Sequence, residues 1–274
     1  MSEQKFDPEK VPVRFAATVM LIDDRPDLQV FMMKRNANTA FAGGMWVFPG
    51  GSVDEGDAAE KYATYCTHRT DSEACEMLEL TSGGLAFYVA AIREAFEEAG
   101  ILLALNKSDE SQLKLLEPEI ISRFDAYRDG VNDGSQDFLA ILDQENLILD
   151  AAQMHYVARW ITPLGPPRRF DTRFFIARMP ESQNPVHDDN ELIHSVWMSP
   201  AEILEGARDK TIGLMPPTMR MIECLAEFNS AADVIAAAEA NLPYERIPMN
   251  GKGPAPESVQ AEPGWVKLRP LKNA

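Results

Sequence analysis

Ala91-Ile92-Arg93-Glu94-Ala95-Phe96-Glu97-Glu98-Ala99-Gly100 joins three carboxylates to an apolar face. On a helix each residue turns by about 100°. With Glu94 set at zero, Glu98 falls near ~40° and Glu97 near ~300°, whereas Val89, Ile92, Phe96 and Ala99 fall between about 140° and 220°. The acids share one side and the apolar stripe takes the other. Like charges one turn apart destabilise a helix by a few tenths of a kcal/mol. Three of them need a partner. Solvent is one candidate, since such a run often marks a solvated helix face. A hard divalent cation is the other, because Mg²⁺ prefers carboxylate oxygens. The helix alone leaves both open.

The segment upstream favours the cation. Phe48-Pro49-Gly50-Gly51-Ser52-Val53-Asp54-Glu55-Gly56-Asp57 reads as a strand end followed by a tight glycine loop. Glycines allow close backbone approach, so a carbonyl there can be aimed at a metal. Further out, Arg14–Ile22 is a nearly continuous apolar run and reads as a buried strand. Leu28–Lys34 follows a turn cluster and completes a hairpin. Leu85–Leu105 reads as one helix, ending near Gly100 or soon after, and a short helix is expected near Glu117–Tyr127. Strands are expected at Ala152–Ile161, Arg169–Ala177 and His194–Met198, then helices from Ser199, Thr218 and Ala231. From Asn241 the tail is rich in Pro and Gly and little regular structure is expected. The order β-β-β-α-β-β-β-α implies a mixed α/β (α+β) domain over 1–205, with a helical C-terminal extension over 206–274.

The 274 residues carry a formal net charge of −17. That excludes a broad grip on a nucleic acid polymer, which needs clustered Lys and Arg. It leaves room for a small phosphorylated substrate, because a bound metal inverts the local field. Three cysteines without CxxC spacing argue against structural zinc and a disulfide framework. His68, Cys66 and Cys75 lack the paired spacing of a metal knuckle. The N-terminus has no apolar signal core, and no apolar run approaches the ~18 residues of a membrane span. A cytoplasmic protein with no membrane association is expected.

The glycine loop and the helix together resemble the Nudix box, G-x5-E-x7-R-E-U-x-E-E-x-G-U. Gly51, Arg93, Glu94, Glu97, Glu98, Gly100 and Ile101 match it, and Asp57 takes the place of its first Glu. Asp57 and Arg93 stand 36 positions apart where the pattern has eight, so about 28 extra residues lie inside the box. They are placed at about 58–89 and expected to loop out, since long surface loops cost little. The interruption weakens any role for Asp57. A split box resembles the peroxisomal acyl-coenzyme A diphosphatase branch and its bacterial relatives, as does Met33-Lys34-Arg35-Asn36 leading into Phe48-Pro49-Gly50-Gly51.

The resemblance implies a Nudix-like α/β/α sandwich and hydrolysis of a diphosphate linkage with Mg²⁺ or Mn²⁺. Glu94, Glu97 and Glu98 are the expected metal ligands, with the Gly50–Gly51 backbone beside them. Arg93 is expected to orient a carboxylate through a bidentate bond. The catalytic set is Arg93, Glu94, Glu97 and Glu191, and the base stays open between Glu97, Glu94 and Glu191. Arg35, Arg168 and Arg169 are candidates for substrate phosphate contact, the paired Arg168-Arg169 the better bet, with Gly50 and Gly51 as further substrate contacts. The implied substrate is coenzyme A or acyl-coenzyme A, giving phosphopantetheine and adenosine 3′,5′-bisphosphate. A dinucleotide or nucleotide sugar, or a non-catalytic ligand-binding module, are the alternatives. The extension either packs on its own domain or builds a homodimer.

Overall fold

The computed structural model describes residues 7–39, 42–185, 192–243, 245–246 and 264–271. The strands are β1 (Val13–Asp24), β2 (Leu28–Arg35), β3 (Trp46–Val47), β4 (Gly50–Ser52), β5 (Ala104–Asn106), β6 (Leu147–Leu149), β7 (His155–Ile161), β8 (Arg169–Arg178), β9 (Leu192–Met198), β10 (Glu245–Arg246) and β11 (Gly264–Val266). The helices are α1 (Ala59–Tyr62), α2 (Asp71–Leu78), α3 (Gly84–Ala99), α4 (Pro118–Asn132), α5 (Phe138–Gln144), α6 (Pro200–Arg208), α7 (Pro216–Leu225) and α8 (Ala231–Glu239).

One mixed sheet runs β10-β11-β7-β8-β1-β2-β3, with β4 also pairing β1 and β9 pairing β2. β1 and β8 are parallel over Val13–Ile22. Its other pairs are antiparallel. The continuous apolar run in β1 follows from burial on both faces. Ala17, Val19 and Leu21 pack into the layer of α3, while Met20 and Ile22 pack into the layer holding Ile203, Met221, Ile222 and Val234 of α6, α7 and α8. Two helical layers thus sandwich the sheet, as expected. β5 and β6 form a separate two-stranded ladder. Among the described residues no helix is long and apolar enough to cross a membrane.

Four expectations change. The glycine segment begins as a strand rather than a tight loop, with Gly50 opposite Thr18 and Gly51 opposite Ala17 of β1. The extra residues in the box do not loop out. α1 and α2 pack on α3, burying Tyr62, Cys66, Ala74 and Leu78 in the core, and the Asp71 carboxylate accepts from Gly83 N–H (3.1 Å) and Leu85 N–H (2.9 Å) to cap α3. Residues 84–89, counted with the insertion from sequence, are the first turns of α3. The polar stretch after 106 holds a longer helix than expected, α4, and a second, α5. The Pro/Gly-rich tail returns to the sheet as β11, against β7.

Candidate active site

The Arg93–Glu98 run is a half-buried charge cluster, and solvent alone does not balance it. Side-chain exposure is 11% for Arg93, 14% for Glu94, 15% for Glu97 and 13% for Glu98. Arg93 is the hub. Its Nε and Nη2 donate to the two oxygens of Asp57 at 2.8 and 3.0 Å. Its Nη1 donates to Glu94 Oε1 at 2.9 Å and Glu97 Oε1 at 2.8 Å, and Nη2 also donates to the Ser52 carbonyl at 3.1 Å. The guanidinium thus ties α3 to β4 and to the turn after it.

Asp57 is therefore central, contrary to the weak role expected from the interrupted spacing. It is fully buried and takes a bidentate bond from Arg93. It also accepts from the Asp54 N–H at 2.8 Å, which closes the turn. The insertion leaves chain length between Asp57 and Arg93 but no distance in space. The signal was present in the sequence: Asp57 holds the position of the pattern's first acid.

β4 supplies the other wall. Gly50 N–H donates to Glu98 Oε2 at 2.9 Å, and Arg35 Nη1 lies 4.0 Å from Glu98 Oε1. Gly51 lies so close to α3 that a Cβ there would stand 2.5 Å from Glu94 Cδ. The absence of a side chain at Gly51 is what admits the Glu94 carboxylate against the strand. Asn132 of α4, not singled out from sequence, donates to the Glu97 carbonyl at 3.2 Å.

Burial raises the Glu94 carboxyl to about 7, against the pull of Arg93, with Glu97 adding to the rise. Burial also raises Glu97, again opposed by Arg93. Burial works against the Arg93 charge, but Asp57, Glu94 and Glu97 more than offset it and hold the guanidinium protonated. Asp57, Glu94, Glu97 and Glu98 face two guanidiniums, Arg93 and Arg35. The excess negative charge, the hard oxygen donors and the side-chain-free backbone at Gly51 fit a divalent cation. Among the described residues no three acids, histidines or cysteines already converge on one point.

A cleft of about 450 Å³ opens on the other side of β4. Arg35, Gly50, Gly51 and Arg168 line it, with an apolar wall that includes Trp160, Phe170 and Met215. Of the paired arginines, Arg168 reaches the cleft; Arg169 turns its Nε onto the Thr162 carbonyl at 3.0 Å. Glu191 lies outside the described residues. Trp160 was not singled out from sequence, where it reads as an ordinary strand residue.

Comparison with known proteins agrees with this geometry. The family model for the NUDT19 Nudix domain matches residues 71–225, more than half of the chain. The human acyl-coenzyme A diphosphatase NUDT19 is 27% identical over 237 residues, covering 75% of this chain and 62% of that one. The chicken protein of the same name is 26% identical over 266 residues, covering 81% and 70%. The alignment with the human relative thus spans about three fifths of that protein's length. The crystal structure of a Nudix hydrolase from Alicyclobacillus acidocaldarius superposes with a TM-score of 0.68 at 25% identity, covering 83% of this chain and 97% of that one. With the box residues gathered around Arg93 and the family model matched over more than half of the sequence, the chain belongs to the Nudix family, in its NUDT19 branch.

Proposed function

We propose that this chain is a metal-dependent diphosphatase and that coenzyme A or an acyl-coenzyme A is its substrate. The observation that carries the reading is the juxtaposition at β4. One side of Gly50–Gly51 meets the buried carboxylates of α3, and the other lines a cleft with two arginines. A diphosphate in that cleft meets Arg35 and Arg168, and Arg35 also lies 4.0 Å from Glu98 Oε1, which links the cleft to the carboxylates behind β4. The relatives named as acyl-coenzyme A diphosphatases support the choice of substrate.

Glu94, Glu97 and Glu98 would hold Mg²⁺ or Mn²⁺. Such an ion neutralises phosphate charge and makes a bound water more acidic. The chain's own residues do the rest. Arg93 fixes Glu94 and Glu97 through Oε1 of each, so neither carboxylate swings. Glu94, raised by burial to about 7, is suited to take a proton from water near neutral pH, and burial raises Glu97 in the same direction. Arg35 and Arg168 contact phosphate oxygens, and Gly50 and Gly51 admit the substrate close to the backbone. The apolar wall takes the group carried by the diphosphate and limits water entry.

Purified protein should be incubated with Mg²⁺ or Mn²⁺ and coenzyme A, acyl-coenzyme A, ADP-ribose, NADH or a diadenosine polyphosphate, and the products weighed by mass spectrometry. The expected products from the coenzyme A substrates are the phosphopantetheine half and adenosine 3′,5′-bisphosphate. Faster turnover of ADP-ribose or a dinucleotide would reassign the substrate. Binding without product from any of them would mark a non-catalytic module.

A further inference from the structure

Residues Gly264, Trp160, Thr172, Ala16 and Ser52 stand side by side across five strands. Gly264 of β11 pairs with Trp160 of β7, Trp160 with Thr172 of β8, Thr172 with Ala16 of β1, and Ala16 with Ser52 of β4. Trp160, Thr172, Ala16 and Ser52 all line the cleft. They form one rung of its floor. Ser52, at one end, accepts from Arg93. Trp160 stands three strand spacings away, roughly 14 Å. The far end of the floor is therefore an indole, and its neighbour is a glycine from the C-terminal tail.

That glycine is in contact with the indole. A Cβ on Gly264 would stand 2.6 Å from Trp160 Cδ2 and 2.7 Å from Cζ3. No side chain fits there unless the ring moves, and the ring is buried, so it has little slack. β11 itself is well anchored. Trp265 and Val266 are buried, the Arg159 guanidinium lies 4.7 Å from the Trp265 ring centre, and Lys267 N–H donates to the Val157 carbonyl at 2.7 Å. Arg159 in turn holds Asp171, between the cleft residues Phe170 and Thr172, with two bonds of 2.7 Å. The tail strand is thus fixed to the strands of the floor, and it lies outside the matched Nudix segment at residues 71–225.

We propose that Gly264 is a specificity-determining position, which sets how far the Trp160 indole stands into the cleft and so which groups fit beside the diphosphate. The inference rests on the cleft being the substrate site. A single methylene in such a pocket changes affinity by roughly tenfold or more.

The test is a double-mutant cycle on affinity, not on turnover. Dissociation constants for coenzyme A, decanoyl-coenzyme A and ADP-ribose are measured by calorimetry in Ca²⁺, for wild type, G264A, W160A and the double variant. G264A should weaken the tightest ligand by roughly tenfold. In the W160A background the same substitution should change affinity by less than about twofold, since the ring it displaces is gone. A G264A affinity within twofold of wild type overturns the proposal. So does an equal loss in both backgrounds, which would mean that Gly264 acts through the strand rather than the ring. Should G264A not fold alone, W160A decides: a change of tenfold or more supports the role, and one within twofold overturns it. Wild type that binds ligand in Ca²⁺ but releases no product in Mg²⁺ or Mn²⁺ sinks the diphosphatase reading while the cycle still reads out. Wild type that binds none of the three overturns the inference as well.

Discussion

Arg93 concentrates the account at the scale of single residues. It is a half-buried cation tied to the fully buried Asp57 and to Glu94 and Glu97. Breaking a buried, hydrogen-bonded pair by deleting one partner costs about 3–5 kcal/mol. Asp57→Ala should therefore lower unfolding stability by about that amount. Urea denaturation at constant pH measures it, and a change under about 1 kcal/mol would show that Arg93 is satisfied without Asp57. Glu94 gives a pH signature. Its carboxyl rises from 4.5 to about 7 on folding. Between those values the native state holds a proton that the unfolded chain has lost, so this group's stabilising effect fades as pH rises through that window. In chelator, stability of the wild type should fall from pH 5 to pH 7 more steeply than that of Glu94→Gln. Equal slopes for the two proteins would remove Glu94 from the explanation. The carboxylates on α3 were legible because Glu94, Glu97 and Glu98 fall on one helix face. The bond from Arg93 to Asp57 was obscured by a separation of 36 positions. Periodicity reports neighbours on one element and carries no information about a contact closed by an insertion.

At the scale of elements, the inserted pair α1–α2 has the physics of core rather than of loop. Leu78 is buried in the same cluster as Leu85, Tyr88 and Phe96 of α3. Leu78→Ala should cost about 2–5 kcal/mol, the range for truncating a packed leucine. A loss below about 0.5 kcal/mol, again by denaturant midpoint, would return the insertion to the status of a surface excursion. One sign of α2 was available in the sequence. Thr70 and Glu73 form a capping box, with Glu73 N–H donating to Thr70 Oγ1 at 3.3 Å and Thr70 N–H donating to Glu73 Oε2 at 2.8 Å. Other elements gave less to read. β5, β6 and β11 have three residues each, too few to show alternation. β11 sits in a Pro/Gly-rich tail, where composition argues for irregular chain and the exposed edge of β7 decides otherwise. By contrast, the long runs of β1 and β8 and the apolar stripe of α3 announced themselves, and they hold the sandwich together.

Across the whole molecule, the net charge of −17 and a cleft bearing Arg35 and Arg168 pull in opposite directions. A negatively charged protein repels an anionic substrate at long range, and local cations must overcome that field. Four clustered carboxylates add to the repulsion unless a divalent ion compensates them. Under the proposed function, metal is therefore a condition for substrate binding as well as for chemistry. The most direct measurement is the initial rate of coenzyme A hydrolysis as Mg²⁺ or Mn²⁺ is titrated into chelated protein, for wild type and for Glu98→Gln. The account predicts no turnover without metal and saturable activation in the wild type. For Glu98→Gln it predicts activation displaced to higher metal concentration, with a rate lower by at least roughly 100-fold at wild-type saturation. Metal-independent turnover, or a Glu98→Gln titration that overlays the wild type, would contradict it.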